Sequence, residues 1–490
     1  MSPILIGFVV YLLVVLGVGL YAFKRTSTQS GFLLADRKLG PWVIALSERA
    51  SGESAWLLVG LPGAVMAAGM LEMWTAVGCC TGILFSWTFV ATRLRKEVGR
   101  TGSMTLPDFF RARYPETHEA IRIVSSLIIT FFFTFYVAAQ FNGAGKVLDT
   151  TFGDLLLRIQ GGLEGVGLSL ETTTIGILIG VFIVLFYTTL GGFLAVAWTD
   201  FVQGLIMVFT CVVLPIVAFV KLGGSNELLQ RIRAESHDLL SMTGGKHGLD
   251  ALLGVIGGLS WGLGYMGQPH LLTRFMAIRR PSDIRKGMLI AAWWAVPAFW
   301  GAGLIGIIGL GAYGSGYFED PETLMPFMAQ QIMPGWLAGI MISGAIAAMM
   351  STADSQLLVT TSTLSEDIYH KMLKRQSTPE QLARFSRIAT VVVGIAAFVL
   401  AMYSSKVVFT MVSFAWSGLA AAFAPQLVLT LWWKRTTGLG VLVGMIGGTL
   451  TVIAWRFLPF ALTERVGGVL VATVLIVVVS LFDRKAHESA

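Results

Sequence analysis

The chain has 490 residues, of which 55% are hydrophobic and 13% charged, and its mean hydropathy is +0.74. A soluble domain carries roughly 25% charged residues, so the polar skin that water requires is missing and the composition argues against a soluble enzyme. The net charge of +7 is no sign of nucleic-acid binding, because membrane proteins gather Lys and Arg in cytoplasmic loops.

Apolar runs of about 20 residues, each able to cross a hydrocarbon core ~30 Å thick, recur along the chain. The expected architecture is an all-α polytopic membrane protein, a single transporter domain over 1–490. About thirteen spans fall near 3–23, 42–70, 74–94, 121–146, 173–190, 193–220, 249–276, 287–312, 335–364, 386–403, 407–433, 437–458 and 466–482. The first stretch lacks a basic start and a cleavage site, so it reads as a span and not as a signal peptide. Cys79, Cys80 and Cys211 lie in apolar runs with neither a disulfide framework nor a metal spacing, and read as small packing residues.

Basic residues cluster after the odd-numbered spans. Lys24, Arg25, Arg37 and Lys38 follow the first, and Arg93, Arg95, Lys96, Arg100, Arg111 and Arg113 the third. Arg274, Arg279, Arg280, Arg285 and Lys286 follow the seventh; Lys371, Lys374, Arg375, Arg384 and Arg387 the ninth. Lys434 and Arg435 follow the eleventh, and Arg484 and Lys485 the last. Loops after even spans are poorer or acidic, as at Glu319, Asp320 and Glu322. The positive-inside rule then puts the N-terminus outside and the C-terminus in the cytoplasm. The longest polar gap, 221–248, has room for one short amphipathic helix. A nucleotide-binding or signalling domain needs about 100 residues or more, and no Gly-x-x-x-x-Gly-Lys-Ser/Thr motif occurs. A carrier or a channel remains.

Span two, "ALSERASGESAWLLVGLPGAV", carries Ser47, Ser51, Gly52, Ser54, Gly60, Pro62 and Gly63; span seven, "GVIGGLSWGLGYMGQPHLL", carries Gly254, Gly257, Gly258, Gly262, Gly264, Gly267 and Pro269. Either alone can simply allow close helix packing. As a matched pair they point to a carrier built from inverted repeats, with broken helices whose freed carbonyls coordinate a cation and whose half-helix N-termini meet a carboxylate. In span nine, "AIAAMMSTADSQLLVTTSTLSED", Ser351, Asp354 and Ser355 fall at i, i+3 and i+4 on one face with Thr352 beside them. Hydroxyls and a carboxylate are hard ligands suited to a small cation, and a carboxylate in a bilayer is costly without a partner. Thr199 and Asp200 in "GGFLAVAWTDFVQG" either join that ion region or sit at the cytoplasmic interface.

"ALS…AS…SAWLL.GLPGAV", "GGFLAVAWTD", "WGLGYMGQPHLLTRFMA", "AAMMSTADSQLLV…EDIY" and "FAWSGLAAAFAP" resemble the sodium/proline symporter branch of the solute:sodium symporter family, over about residues 8 to 480. The resemblance implies a leucine-transporter-type core in a bacterial cytoplasmic membrane. Its inverted repeats would span 42–220 and 249–433, with one extra helix before and two after. It implies a sodium site from the carbonyls of Ala50, Glu53 and Ala348 and the hydroxyls of Ser351 and Thr352. A second sodium, held in some members of the wider family, maps to Asp200, Ser351, Asp354 and Ser355. The proline pocket maps to Trp56, Tyr136, Trp261, Tyr265, Gln268 and Pro269, whose aromatic faces suit a flat apolar ring.

The chain departs from the family where well-known members place Asp and then Met after the sodium-ligating Ala-Ser; here Gly52 and Glu53 stand there, and Asp354 stands where those members have Ser. Glu53 is therefore expected to balance the sodium charge or bind the proline ammonium, or to carry a proton in a proton-coupled variant. Glu48 and Arg49 read as residues of an inner gate, each with a partner other than its neighbour. The expected activity is secondary symport of L-proline with sodium, the coupling ion, by alternating access, with no organic cofactor and no nucleic-acid partner. A channel, a transporter-like sensor, or a carrier of another small carboxylate such as pantothenate or sialic acid are the alternatives.

Overall fold

The computed structural model describes residues 2–23, 29–190, 192–373, 377–403, 407–460 and 462–483. Lys24, Arg25, Lys374, Arg375, Arg484 and Lys485 of the basic clusters lie outside the described residues.

The apolar windows become helices. They are α1 (Pro3–Phe23), α2 (Pro41–Ala55), α3 (Leu61–Ala68), α4 (Met73–Phe85), α5 (Ala120–Glu164), α6 (Thr172–Leu190) and α7 (Phe193–Lys221). There follow α8 (Gly248–Leu259), α9 (Pro269–Ala277), α10 (Ile284–Tyr313), α11 (Gly335–Ser362), α12 (Pro379–Tyr403), α13 (Val408–Trp432), α14 (Gly438–Trp455) and α15 (Glu464–Phe482). Among the described residues, 10 helices are long and apolar enough to cross a membrane, or 11 if the bent pair Gly248–Gly264 and Pro269–Ala277 is one span. That is fewer than expected for two reasons. The windows at 42–70 and 74–94 share one 61-residue helical run, Pro41–Thr101, and the window at 173–190 yields only a shorter apolar helix, Thr172–Phe186. The polar gap does hold a short helix, Gly224–Glu235, which buries Leu228 and Ile232.

Helix α11 is the hub. It packs against α1, α2, α5 and α7, and 83% of its most apolar window is buried, against 22% for α1. Peripheral helices turn large apolar side chains such as Leu13, Phe182, Trp293 and Val474 outward, as lipid contact requires. Both expected breaks are present. In α2 the chain leaves helical geometry at Ser54 (φ 47°, ψ −170°), a left-handed φ that costs energy in a residue with a Cβ, and a wider π-helical turn over Trp56–Gly60 follows. In span seven the bend is 43°, with Gln268 extended and Pro269 opening α9. A Cβ on Gly264 would lie 1.8 Å from Trp416 Nε1, so only glycine lets the indole approach that bend.

Two sequence expectations need correction. Span four does not end at residue 146: α5 runs for 45 residues, to Glu164. Lys146 does not stop it because its ammonium is neutralised by Asp320, at 2.6 Å, and by Glu322. Arg274, counted with the loop after span seven, lies inside α9 and is fully buried, so it carries no weight in the orientation argument.

Ion pairs close the bundle at both ends. At one end Glu322, held by Lys146, accepts from the backbone N–H groups of Val408 (3.0 Å) and Phe409 (2.9 Å). At the other, Asp108 takes Arg122 (3.2 Å) and Lys371 (2.9 Å), while Asp367 takes Thr105 (2.7 Å) and Arg122 (3.5 Å).

Candidate functional site

The break in α2 leaves backbone groups without helical partners, and neighbouring helices take them up. The Ala55 N–H donates to Gln140 Oε1 of α5 at 2.9 Å. From α11, the Ser351 hydroxyl donates to the carbonyls of Ala50 (2.9 Å) and Ala348 (3.1 Å), and the Thr352 hydroxyl to that of Ser51 (2.9 Å). Three of the five residues of the expected main cation site, Ala50, Ala348 and Ser351, are thus in contact, and the fourth, Thr352, meets the neighbouring Ser51 carbonyl instead. The fifth, Glu53, lies on the same turn, with its carbonyl accepting from the Trp56 N–H. Sequence reasoning missed the Ser51 carbonyl, which also receives the His270 ring at 3.2 Å. Neutral hydroxyls and carbonyls are hard donors and fit a weakly held monovalent cation.

The aromatic residues converge one turn further on. Trp56 stacks on Trp261 (centroids 4.8 Å apart, 24°). Tyr265 and Tyr136 meet Trp416 edge-on at 4.9 and 6.4 Å. Trp416 Nε1 donates to the Trp261 carbonyl at 3.0 Å, and Gln268 Nε2 to the Trp416 carbonyl at 3.2 Å. Trp416 was not singled out from the sequence, though it lies in the "FAWSG" block; a Trp in an apolar span carries no local mark of a site. The Tyr136 hydroxyl reaches Ser54 Oγ at 3.5 Å, so the pocket touches the break itself. Trp56 Nε1 and Gln268 Oε1, a donor and an acceptor, are buried without hydrogen-bond partners among the described residues. Such groups are costly when left unmatched, and a ligand with a carboxylate and an ammonium supplies what each lacks.

Glu53 is engaged. Its Oε1 takes Arg49 at 2.5 Å and its Oε2 takes the Tyr265 hydroxyl at 2.9 Å. Arg49 also bonds its neighbour Glu48, Nε to Oε2 at 2.6 Å. Glu48 and Arg49 thus each have a partner besides the neighbour, yet they also bond one another, because a guanidinium long enough to reach Glu53 can fold back along its fork to Glu48. Glu48 in turn accepts from Trp87 Nε1 at 3.1 Å.

The second proposed ion set is divided. Asp200 Oδ2 accepts from Ser47 (2.7 Å), Ser51 (2.9 Å) and Arg274 Nη2 (2.9 Å). Ser355 Oγ lies 2.9 Å from Ser51 Oγ and accepts from Arg274. Ser351 turns instead to Ala50, and Asp354 meets only Ser355, at 3.2 Å, with its Oδ2 unbonded among the described residues. A buried guanidinium therefore stands between Asp200 and Ser355. The signal for it was the His270–Arg274 spacing of i, i+4, which continues a helix rather than a loop; Arg274 Nη1 donates to the His270 carbonyl at 2.8 Å.

A helical bundle in which a broken helix exchanges backbone contacts with an unbroken one, beside a buried cluster of aromatic side chains, has the architecture of a leucine-transporter-type secondary transporter. The chain belongs to the sodium:solute symporter family, whose model matches residues 32–448. It is 38% identical over 89% of its length, and 89% of the relative's, to the high-affinity proline transporter PutP of Bacillus subtilis. To the sodium/proline symporter of Escherichia coli it is 35% identical, over 99% of this chain and 94% of that one. Among solved structures, a Na+-coupled sialic acid symporter in a substrate-bound, outward-open state superposes with a TM-score of 0.77 at 19% identity, covering 98% of both chains.

Proposed function

We propose that the protein imports L-proline coupled to inward movement of sodium. The observation that carries this reading is the shared break: Ser351 and Thr352 touch the Ala50 and Ser51 carbonyls just before Ser54, and the aromatic pocket begins just after it, at Trp56. The proline relatives support the substrate, and the unmatched Trp56 Nε1 and Gln268 Oε1 suit a carboxylate and a secondary ammonium. The chain lies in a bacterial cytoplasmic membrane with its N-terminus outside and its C-terminus inside, and 42–220 and 249–433 form the two inverted repeats.

Sodium sits between α2 and α11, held by the carbonyls of Ala50, Glu53 and Ala348 and by the Ser351 and Thr352 hydroxyls. Each of these hydroxyls keeps a lone pair to turn onto the ion, so binding locks the break against α11. The ring of proline lies among Trp56, Tyr136, Trp261 and Tyr265, with Gln268 and Pro269 at the second break. Glu53 acts through Tyr265, which it holds by a hydrogen bond, and through Arg49. Of the second ion set, Asp200, Ser351, Asp354 and Ser355, the Arg274 guanidinium serves Asp200 and Ser355 where a second sodium would otherwise stand, so one sodium moves per proline. Each charge moved inward gains about 2.3 kcal/mol per 100 mV of membrane potential, enough to concentrate proline.

The test is uptake of labelled L-proline into liposomes holding the purified protein, first under an inward sodium gradient and then under a proton gradient alone. Accumulation with sodium only is the expected result. Accumulation with protons alone would make Glu53 a proton carrier, and no uptake with either would remove proline as the substrate.

A further inference from the structure

We infer that a cavity outside the aromatic pocket is an entry subsite for a zwitterionic amino acid, with the buried guanidinium of Arg465 as the carboxylate receptor. The inference rests on the symport reading above. The cavity has a volume of about 440 Å³, and Glu72, Lys246, Asp250, Trp261, Phe409 and Arg465 are among the residues lining it. Lys246 belongs to the connection between α7 and α8 and Asp250 to the first turn of α8, at the end that the charge pattern places outside.

Arg465 opens α15 and is 4% exposed. Its Nε donates to Ser260 Oγ (3.1 Å), its Nη1 to Ser413 Oγ (2.6 Å) and its Nη2 to the Gly257 carbonyl (3.4 Å). Its guanidinium carbon lies 4.3 Å from the centre of the Trp261 ring. All these partners are neutral, and among the described residues no carboxylate oxygen is within 4.0 Å of its nitrogens. The other buried arginines differ: Arg49 has Glu48 and Glu53, Arg122 has Asp108 and Asp367, and Arg274 has Asp200. The negative charges nearest Arg465 act at longer range, Glu464 across the Ser413 hydroxyl that both side chains share and Glu72 from the cavity wall, so the fork itself holds no carboxylate, and its planar geometry matches one better than any other anchor.

The remaining wall supplies the opposite sign. Glu72 and Asp250 line the same cavity as Arg465 and Lys246, so it offers both halves of what an amino acid carries. Trp261 joins the two chambers. It carries Arg465 on its ring while stacking on Trp56 of the inner pocket, and Phe409 lies 5.2 Å from it. An amino acid held by Arg465 waits against the indole that must swing for it to pass inward. The subsite raises the local substrate concentration without holding it in the transported state.

The experiment measures KM and Vmax of sodium-driven proline uptake for Arg465→Gln, Arg465→Lys and Glu72→Gln. Arg465→Gln is expected to raise KM about tenfold with Vmax little changed, and Arg465→Lys to raise it less. Glu72→Gln, which keeps the side chain's size and its bond from Thr75, should raise KM about threefold. A fall in Vmax at constant KM for Arg465→Gln would make the arginine a strut between α8, α13 and α15 and overturn the proposal. So would an unchanged KM in Glu72→Gln, which decides the matter if Arg465→Gln does not fold. A wild-type protein that takes up no proline with sodium would instead strike the symport reading.

Discussion

Asp200 of α7 and Arg274 of α9 form a fully buried ion pair, Oδ2 to Nη2 at 2.9 Å, that also gathers Ser47, Ser51 and Ser355. Removing one member strands the other's charge, whereas removing both leaves polar groups that can bond one another. Asp200→Asn and Arg274→Gln alone should each destabilise by about 3–5 kcal/mol, and the double variant should recover most of that loss. Thermal unfolding of the purified variants measures it; simple additivity of the two losses would count against the pair.

If the guanidinium stands in for a second ion, wild-type protein in liposomes should carry one elementary charge per proline. Simultaneous recording of current and labelled uptake gives the ratio. A ratio of two would return Asp200 and Ser355 to service as sodium ligands.

Thr352→Ala removes the hydroxyl that bridges α11 to the Ser51 carbonyl. Losing one of so few hard ligands should raise the sodium concentration for half-maximal uptake about tenfold or more, with the proline KM at saturating sodium changed far less. Equal shifts in both would place Thr352 in the pocket and not at the ion.

Trp416→Phe keeps a ring near Tyr265 and Tyr136 but removes the N–H bonded to the Trp261 carbonyl. The loss of about 1 kcal/mol should raise the proline KM a few-fold and leave sodium half-saturation alone. Titration of uptake against each solute separates the two.

Glu322→Gln weakens the clamp on Lys146 and on the Val408 and Phe409 N–H groups. The variant should spend more time open to the outside. A cysteine introduced at Thr463, on the wall of the outer cavity, should then react faster with an impermeant thiol reagent; an unchanged rate would assign closure to other contacts.

What the sequence disclosed was local in origin. Runs of Ser, Gly and Pro weaken a helix wherever it is placed, so both breaks were visible as segments, though not that Ser54 and Gln268 would be the residues to leave the helix. The i, i+3, i+4 spacing put Ser351 and Ser355 on the face that meets α2. What stayed hidden depends on contacts through space. Lys146 looks like the end of a span until Asp320 and Glu322, more than 170 residues away, neutralise it. Arg274 looks like a loop cation until Asp200 is beside it, and Trp416 looks like packing until Gly264 makes room for its indole. Glu53 was legible as a displaced acid, but not its attachment to Arg49 and Tyr265.

The clamps at the two ends of the bundle, Lys146 with Glu322 and Arg122 with Asp108 and Asp367, are fastened in the same conformation. A corridor with both doors locked at once conducts nothing, however steep the gradient across it. Traffic is then counted in whole turnovers rather than in open time, and a cell can keep many copies of such a protein without draining its ion battery.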